Sequence, residues 1–476
     1  MALKPITLKG EQKKILFLNA KNPLQIKGVA GSGKTTVALY RAKHLLETYS
    51  EEFGSGKLAI FVFNKTLVSY ISALLPYIKG GYRKDSDQIY PSNSGLDIQV
   101  FNFHKWAYKF ITENGYSLQT NDHESKIIND KRKIDILNNI IDGFSEFNIS
   151  KKKSVFFAEE ISWIKGKLFN TKEEYVFSSR TGRGTLDRVT AKDKAVIWDI
   201  YKLYQEKLRS EDRYDFDDFA PICLKILESK PELRGQFTHI IIDEAQDMCK
   251  SQILVISKLV SERTNSITII ADAAQKIYKS GFSWSEVGLN VRGARTVEFK
   301  KDYRNSKSIL NVAISLLDKE KDKSDFTKPE IALCNSLENN IPVMAYFSSK
   351  RKQYEYIVDE LNKLKDSGNL HSSVILHKRA KELSIICYYL EQNGFKSQLI
   401  TNGSKNLNFE DDMIYVCTLS SVKGLEFDNV FIVDLNDNII PITDFYDNED
   451  ELTISTERKL LYTAITRAKK TSLFVI

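Results

Sequence analysis

Short apolar runs rich in β-branched residues alternate along this chain with longer stretches of helical periodicity, and that alternation limits its fold more than any other feature. The runs are LQIKGVA, KLAIFVF, THIIIDE and SITIIAD before residue 300, then VMAYF, SVILH, MIYVC, VFIVDL and SLFVI after it. A strand that is apolar on both faces is covered on both faces, so the pattern predicts parallel sheets flanked by helices, in two consecutive α/β units. Residues 106–214 break the rhythm. KIINDKRKIDILNNIIDGF and KAVIWDIYKLYQEKL carry their apolar residues at helical spacing, which predicts a mainly helical insertion in the first unit. The expected division is therefore 1–105 with 215–300 for the first unit, 106–214 for the insertion, and 301–476 for the second unit.

Composition excludes several classes. No apolar run approaches a membrane span, and the opening MALKPITLKG lacks the apolar core of a signal peptide, so a cytoplasmic protein is expected. The cysteines Cys223, Cys249, Cys334, Cys387 and Cys417 are scattered, with no paired spacing and no nearby histidines, which suggests neither a disulfide framework nor a zinc site. An apolar fraction of 42% is that of an ordinary globular chain. A net charge of +7 permits nucleic-acid binding without requiring it. DKEKDKSD and DFYDNEDEL read as solvated loops.

GVAGSGKTT at residues 28–36 has the spacing G-x-x-x-x-G-K-[ST], follows a strand pattern and precedes a helical one, as a P-loop requires. Gly28, Gly31 and Gly33 let the backbone turn its N–H groups and the helix N-terminus toward a phosphate chain. Lys34 is placed to neutralise the β and γ phosphates and the Thr35 hydroxyl to ligate Mg²⁺, with Thr36 beside them a candidate nucleotide contact. In HIIIDEAQD an apolar strand ends in two adjacent acids. Asp243 at the strand's carboxyl end can hold the Mg²⁺ through water, and Glu244 can orient or deprotonate an attacking water, a pairing that points to hydrolysis rather than binding alone.

DEAQD, followed in order by IADAAQKIY, DYRNS, VKGLEF and YTAITRAKK, resembles the motif series of superfamily 1 helicases of the UvrD/Rep type. The likeness runs from about residue 8 to the C-terminus. It implies two RecA-like P-loop NTPase domains with ATP and Mg²⁺ in the cleft between them, and 3′ to 5′ movement on single-stranded DNA or at a junction with duplex. By the same resemblance Gln12 in LKGEQ reads adenine, Tyr303 in DYRN stacks on the base, and Gln275 in DAAQKIY senses the γ-phosphate. Gly424 and Glu426 in KGLEF lie at the nucleotide, with Glu426 on the ribose hydroxyl.

Arg467 stands in YTAITRAKK among small and apolar residues, where a guanidinium is either structurally paired or held for something anionic. With Arg304 it matches the two arginines that reach from the second motor domain to the γ-phosphate. Such a finger contributes about 10³ to 10⁵ in rate, and its position on the opposite domain makes hydrolysis conditional on cleft closure.

The resemblance also marks nucleic-acid contacts. Asn64 and Lys65 in FNKTL are candidate phosphate contacts; Phe103 and His104 in VFNFHKWA, with Trp106 close by, are candidate base contacts. Tyr278 in QKIY, Phe282 and Trp284 in GFSWSEVG as a candidate stacking platform, and Thr418 before SSVKGLEF complete the set. Stacking on aromatics suits a motor that travels over any sequence, although each of these rings could equally belong to a core.

Several positions depart from the family pattern. Ser280 stands where an aromatic is usual, leaving Phe282 and Trp284 as the nearest rings; Ala271 replaces a glycine and Ser420 a histidine. Between DYRNS and VKGLEF the family usually carries a large accessory domain, whereas here there is room only for a loop near ITNGSKNLNFEDD. The last motif and strand stand at the end of the sequence, so no tail for a processivity partner is expected. Two readings follow. One is a DNA-stimulated ATPase that translocates and unwinds in repair, replication restart or defence against foreign DNA. The other is a nucleotide-dependent switch subunit that gates a protein partner in a larger repair or defence complex, with little unwinding of its own.

Overall fold

The computed structural model describes residues 8, 11–53, 56–75, 83–85, 88–90, 97–180, 189–272, 282–291, 293–318, 329–330, 341–370, 372–400, 413–436, 439–440 and 451–475. Its two main layers are six-stranded, wholly parallel sheets, as the apolar runs predict. The first contains β1 (Leu24–Gly28), β2 (Lys57–Val62), β5 (Asp97–Asn102), β6 (His239–Asp243), β7 (Ser266–Ala271) and β8 (Thr296–Phe299), in the order β5-β2-β6-β7-β1-β8. A two-stranded antiparallel ribbon, β3 (Arg83–Asp85) with β4 (Gln88–Tyr90), stands apart from it. The second sheet contains β9 (Val343–Ala345), β10 (Ser373–His377), β11 (Ser397–Ile400), β12 (Ile414–Thr418), β13 (Phe427–Ile432) and β14 (Ala468–Val475), in the order β11-β12-β10-β13-β14-β9.

Every apolar run quoted above forms a strand. Three strands of the large sheets were not legible as such: β5, β8 and β11. All three are sheet edges, where one side of the strand lacks a neighbour among the described residues and the sequence (DIQVFN, TVEF, SQLI) mixes polar with apolar residues. Central β6, β7 and β10 are buried at every position.

Short helix α1 (Glu11–Lys14) precedes β1, and α2 (Lys34–Phe53) follows it directly. Asn64, in the short turn after β2, and Asn102, the last residue of β5, accept from the N–H groups of Thr66 and Lys105, which starts α3 (Lys65–Leu74) and α4 (Phe103–Glu113). Helix α4 and the later α9 (Phe219–Ser229) share one apolar cluster with β6, β7 and α10 (Lys250–Leu259).

Between them lie α5 (Asp130–Ile141), α6 (Ser154–Lys167), α7 (Lys172–Phe177) and α8 (Ala191–Ser210), whose inner faces form a separate cluster around Leu137, Phe157, Ile161, Tyr175 and Ile197. Capping boxes at Thr171 and Thr190 open α7 and α8. A buried ionic knot ties this bundle to the chain that re-enters the first sheet: Lys165 Nζ lies 2.8 Å from both Asp215 and Asp218, and Tyr204 donates to Asp215 at 2.8 Å. The second unit is completed by α11 (Lys307–Leu317), α12 (Lys350–Asp366), α13 (Leu383–Gln392) and α14 (Glu451–Ile465). Only residues 401–413 lie between β11 and β12. No helix among the described residues is long and apolar enough to cross a membrane.

Candidate nucleotide cleft and nucleic-acid surface

Strand β7 lies between β1 and β6, so the P-loop after β1, the acids after β6 and Asp272 after β7 meet at one carboxyl edge of the sheet. That edge is where open α/β sheets bind ligands. The P-loop passes through left-handed Gly31 (φ 73°) and Gly33 (φ 78°). A Cβ at Gly31 would stand 2.1 Å from Asp302 Oδ1, and one at Gly33 2.4 Å from Gln12 Nε2, so conformation and space both demand glycine. Lys34 Nζ donates to the Gly28 and Val29 carbonyls, each at 2.9 Å, and pairs with Asp272 at 3.2 Å. Ser32 Oγ is buried without a partner among the described residues. A turn of this shape at the N-terminus of a long helix is suited to a phosphate chain.

Thr35 Oγ1 donates to Asp243 Oδ2 at 2.8 Å. One hydroxyl and one carboxylate fit a magnesium ion whose remaining ligands are phosphate oxygens and water. Among the described residues no cluster of three or more His, Cys, Asp or Glu could hold a metal unaided. Burial, then the neighbouring Glu244 charge, raises the Asp243 carboxyl to about 6. Glu244 itself adopts a left-handed backbone (φ 54°), a strained choice for a residue with a side chain. Gln246 Nε2 donates to its Oε2, while the same amide's Oε1 accepts from Asp272 N at 3.0 Å. Burial alone would raise the Glu244 carboxyl, but Lys423, Lys34 and Arg467 outweigh it and hold the group below the ordinary carboxylate range.

The second unit closes the other wall. Arg304, in the turn before α11, donates Nη1 to the Thr466 carbonyl at 3.0 Å and pairs through Nη2 with Glu426. Its Nε is buried without a partner among the described residues. Arg467, in the turn between α14 and β14, donates to the Thr463 carbonyl at 3.0 Å. Burial, then the charge of Arg304, lowers the Arg467 guanidinium to about 10, so an anion beside Arg467 would relieve it. Burial would lower Arg304 too, but Glu426 and Asp302 outweigh it and hold that guanidinium above its ordinary value. For Glu426 burial would raise the carboxyl, yet Arg304, Lys469 and Arg467 draw it down to about 2. Gly31, Gly33, Lys34, Thr35, Thr36 and Glu244 from the first unit, with Arg304, Gly424, Glu426 and Arg467 from the second, line one open cleft.

Gln12 and Tyr303 flank the P-loop: Gln12 Nε2 donates to the Ser32 carbonyl at 2.8 Å, and Tyr303 N to the Gly31 carbonyl at 3.0 Å. Gln275 and Tyr278 lie outside the described residues.

The residues expected to meet nucleic acid divide. Lys65 is exposed in the first turn of α3, where a cation opposes the helix dipole and adds to the pull on a phosphate. Asn64 caps that helix and also reaches the Ser421 and Lys423 carbonyls at 3.4 Å, across to the second unit. Thr418 ends β12 with its hydroxyl 2.8 Å from that of Ser421. The Phe103 and Trp106 rings are buried, Trp106 stacking on Phe110 at 4.9 Å, so both are occupied by the core and present no face to a strand. His104 is partly exposed and edge-on to Phe63, Phe103 and Phe216. Phe282 and Trp284 are partly buried and edge-on to each other at 5.3 Å.

The family model of the UvrD/REP helicase N-terminal domain matches residues 8–287, more than half of the chain, and that of the UvrD-like helicase C-terminal domain matches residues 396–476. The chain belongs to the UvrD/REP helicase family. A probable DNA helicase II homolog of Mycoplasma capricolum is 24% identical over 78% of this chain and 49% of its own length. The ATP-dependent DNA helicase PcrA of Staphylococcus epidermidis is 23% identical over 80% of this chain and 48% of its own. A probable DNA helicase of Mycoplasma pneumoniae is 24% identical over 93% of this chain and 78% of its own. The chain thus spans about half the length of the first two of these relatives.

In this UvrD/REP chain sequence reasoning passed over four residues that the fold brings to the site. Asp272 and Lys423 were hidden because their partners, Lys34 and the Glu244/Asp247 pair, lie far away in sequence. Phe63 and Phe216 join His104 in one aromatic group, with Phe216 about half exposed. The repeated aromatic–acid pattern YDFDDF was the available signal for Phe216.

Proposed function

We propose that this UvrD/REP chain hydrolyses ATP to move 3′ to 5′ along single-stranded DNA and to unwind duplex ahead of it, acting in the cytoplasm in repair, replication restart or defence. The observation that carries the reading is that Lys34 and Glu244 from one unit and Arg304 and Arg467 from the other line the same cleft. Residues 1–105 with 215–300 then form one motor domain and 301–476 the other, with 106–214 inserted in the first.

In this mechanism Gln12 and Tyr303 select and stack the base, Glu426 meets the ribose, and Gln275 senses the γ-phosphate. The P-loop amides and Lys34 hold the phosphates. Thr35 and Asp243 would hold Mg²⁺, which would supply charge neutralisation on the phosphate oxygens. Glu244, kept ionised by the surrounding cations, orients the attacking water and accepts its proton. Arg304 and Arg467 neutralise charge that develops on the transferred phosphoryl group. Because they come from the opposite unit, turnover requires a closed cleft, and each closure and reopening can be joined to a step on the strand. Asn64, Lys65 and Thr418 are the proposed backbone contacts, with His104, Phe216, Tyr278, Phe282 and Trp284 the proposed base platform.

The short span between β11 and β12 favours a second reading, in which a motor without a large accessory domain serves as an ATPase switch for a protein partner. ATPase rate against single-stranded DNA of increasing length, with RNA of the same sequence and Glu244→Gln as controls, separates the two. A translocase spends longer on longer strands, so its rate rises with length. A rate indifferent to DNA would remove the main support for the motor.

A further inference from the structure

Arg41 lies on α2, two turns beyond Lys34, and is only 1% exposed. Its partners are neutral: Nη1 donates to the Ile15 carbonyl at 2.5 Å and reaches the Leu18 carbonyl at 3.3 Å, while Nε donates to Thr268 Oγ1 on β7 at 3.0 Å. Burial, then the charge of Arg295, lowers this guanidinium to about 10. A cation removed from water without a carboxylate is a net cost to folding, and an apolar side chain of the same size would fill the space more favourably.

What the guanidinium secures is the turn Ile15–Phe17, immediately after the four-residue helix that carries Gln12. A helix of that length cannot hold itself. The Gln12 amide in turn rests on the Ser32 carbonyl and against Gly33 of the P-loop. We propose that Arg41 is a positioning residue for base recognition, clamping the Gln12 segment to the P-loop helix so that the adenine-reading amide and the phosphate cradle keep one geometry. The planar fork is what the clamp requires: it spans two carbonyls and a hydroxyl on three different elements, which a lysine ammonium matches poorly. This inference rests on the ATP reading above and names the residue that sets its base selectivity.

The test compares Arg41→Met, Gln12→Ala and the double variant by kcat and KM for ATP and for GTP at saturating DNA, alongside amide hydrogen exchange over residues 11–18 without nucleotide. Arg41→Met should raise KM for ATP and lower the preference for ATP over GTP about tenfold, the size of one lost hydrogen bond, with kcat at saturating ATP kept. The double variant should discriminate no worse than Gln12→Ala, because both act through one amide. Exchange over 11–18 should quicken. Arg41→Lys should fall between. Thr268→Val, which removes only the Nε partner, should move the preference the same way by less, with Tm read alongside. If the double variant loses the product of the single losses, or if kcat and Tm fall while the preference stays, Arg41 is a packing residue and the proposal is wrong. Wild-type turnover of GTP as fast as ATP would sink the adenine reading itself. The exchange data then decide the clamp alone, with an unchanged rate in Arg41→Met overturning it.

Discussion

Lys423, on the loop after β12, reaches across the cleft to Asp247, with Nζ 2.5 Å from Oδ2, and lies 3.5 Å from Glu244 Oε2. All three side chains are buried, so the two units are joined at the proposed catalytic acid by a charge contact that water does not screen. The backbone of the same loop accepts from Asn64 at the start of α3. One short segment of the second unit therefore touches both the nucleotide cleft and the proposed strand path.

Replacing Lys423 by Met should destabilise the chain strongly, because it takes the Lys423 cation away from buried Asp247 and removes one of the three cations that face Glu244. Removing one partner of such a pair costs roughly 3–5 kcal/mol. The expected outcome is a clear fall in the urea midpoint, with Lys423→Arg recovering much of it. An unchanged midpoint for Lys423→Met would show that the contact contributes nothing.

Lys34→Ala should abolish ATP hydrolysis, and surviving DNA-stimulated turnover would sink the P-loop assignment. Arg467→Ala should leave nucleotide affinity largely intact while kcat falls by about 10³ or more. Equilibrium binding of a fluorescent ATP analogue, set beside steady-state rates, separates the two effects. A large loss of affinity at normal kcat would contradict the finger role.

Gly424 holds φ at 83°, and a Cβ there would stand 2.8 Å from Leu67 Cδ1 on α3. Gly424→Ala should therefore push the loop from α3 and cost about 1–3 kcal/mol, with DNA-stimulated turnover falling alongside. Adding Leu67→Ala should recover part of the turnover by opening space, the backbone strain remaining. No recovery would place the whole effect in the backbone.

His239 opens β6, 1% exposed, with the Tyr49 ring edge-on at 5.3 Å and both ring nitrogens unpartnered among the described residues. Burial, then the charge of Arg41, lowers its pKa to about 4. The unfolded chain takes up this proton first, so the contribution is complete above about pH 6.5 and is lost as the pH falls toward 4. At pH 5 the loss should reach about 2 kcal/mol relative to pH 7 by linkage. Urea midpoints at the two pH values should fall further for the wild type than for His239→Leu. Parallel falls would assign the acid sensitivity elsewhere.

Much of this protein is local, and the local part was legible. The P-loop residues, the Asp243–Glu244 pair and the central strands are consecutive or closely spaced, because the backbone turns and buried strands they form are specified within a few residues. Edge strands β5, β8 and β11 escaped because half-solvated strands need no continuous apolar run. Phe103 and Trp106 looked like stacking rings, since residue type alone cannot tell a ring in a groove from one in a core.

The sequence by itself determined the α/β class and the two units, and it pointed to residues that the fold gathers in one cleft. Only the tertiary structure decided that β7 separates β1 from β6, which brings Asp272 to Lys34 over a separation of 238 residues. It likewise decided that Lys423 faces Glu244, and that Arg41 spends its charge on carbonyls of the Gln12 segment and on Thr268, 227 residues away. The physical reason is common to all three. A buried charge takes whichever partner the packing of distant elements sets within hydrogen-bond reach, and no spacing along the chain encodes that choice.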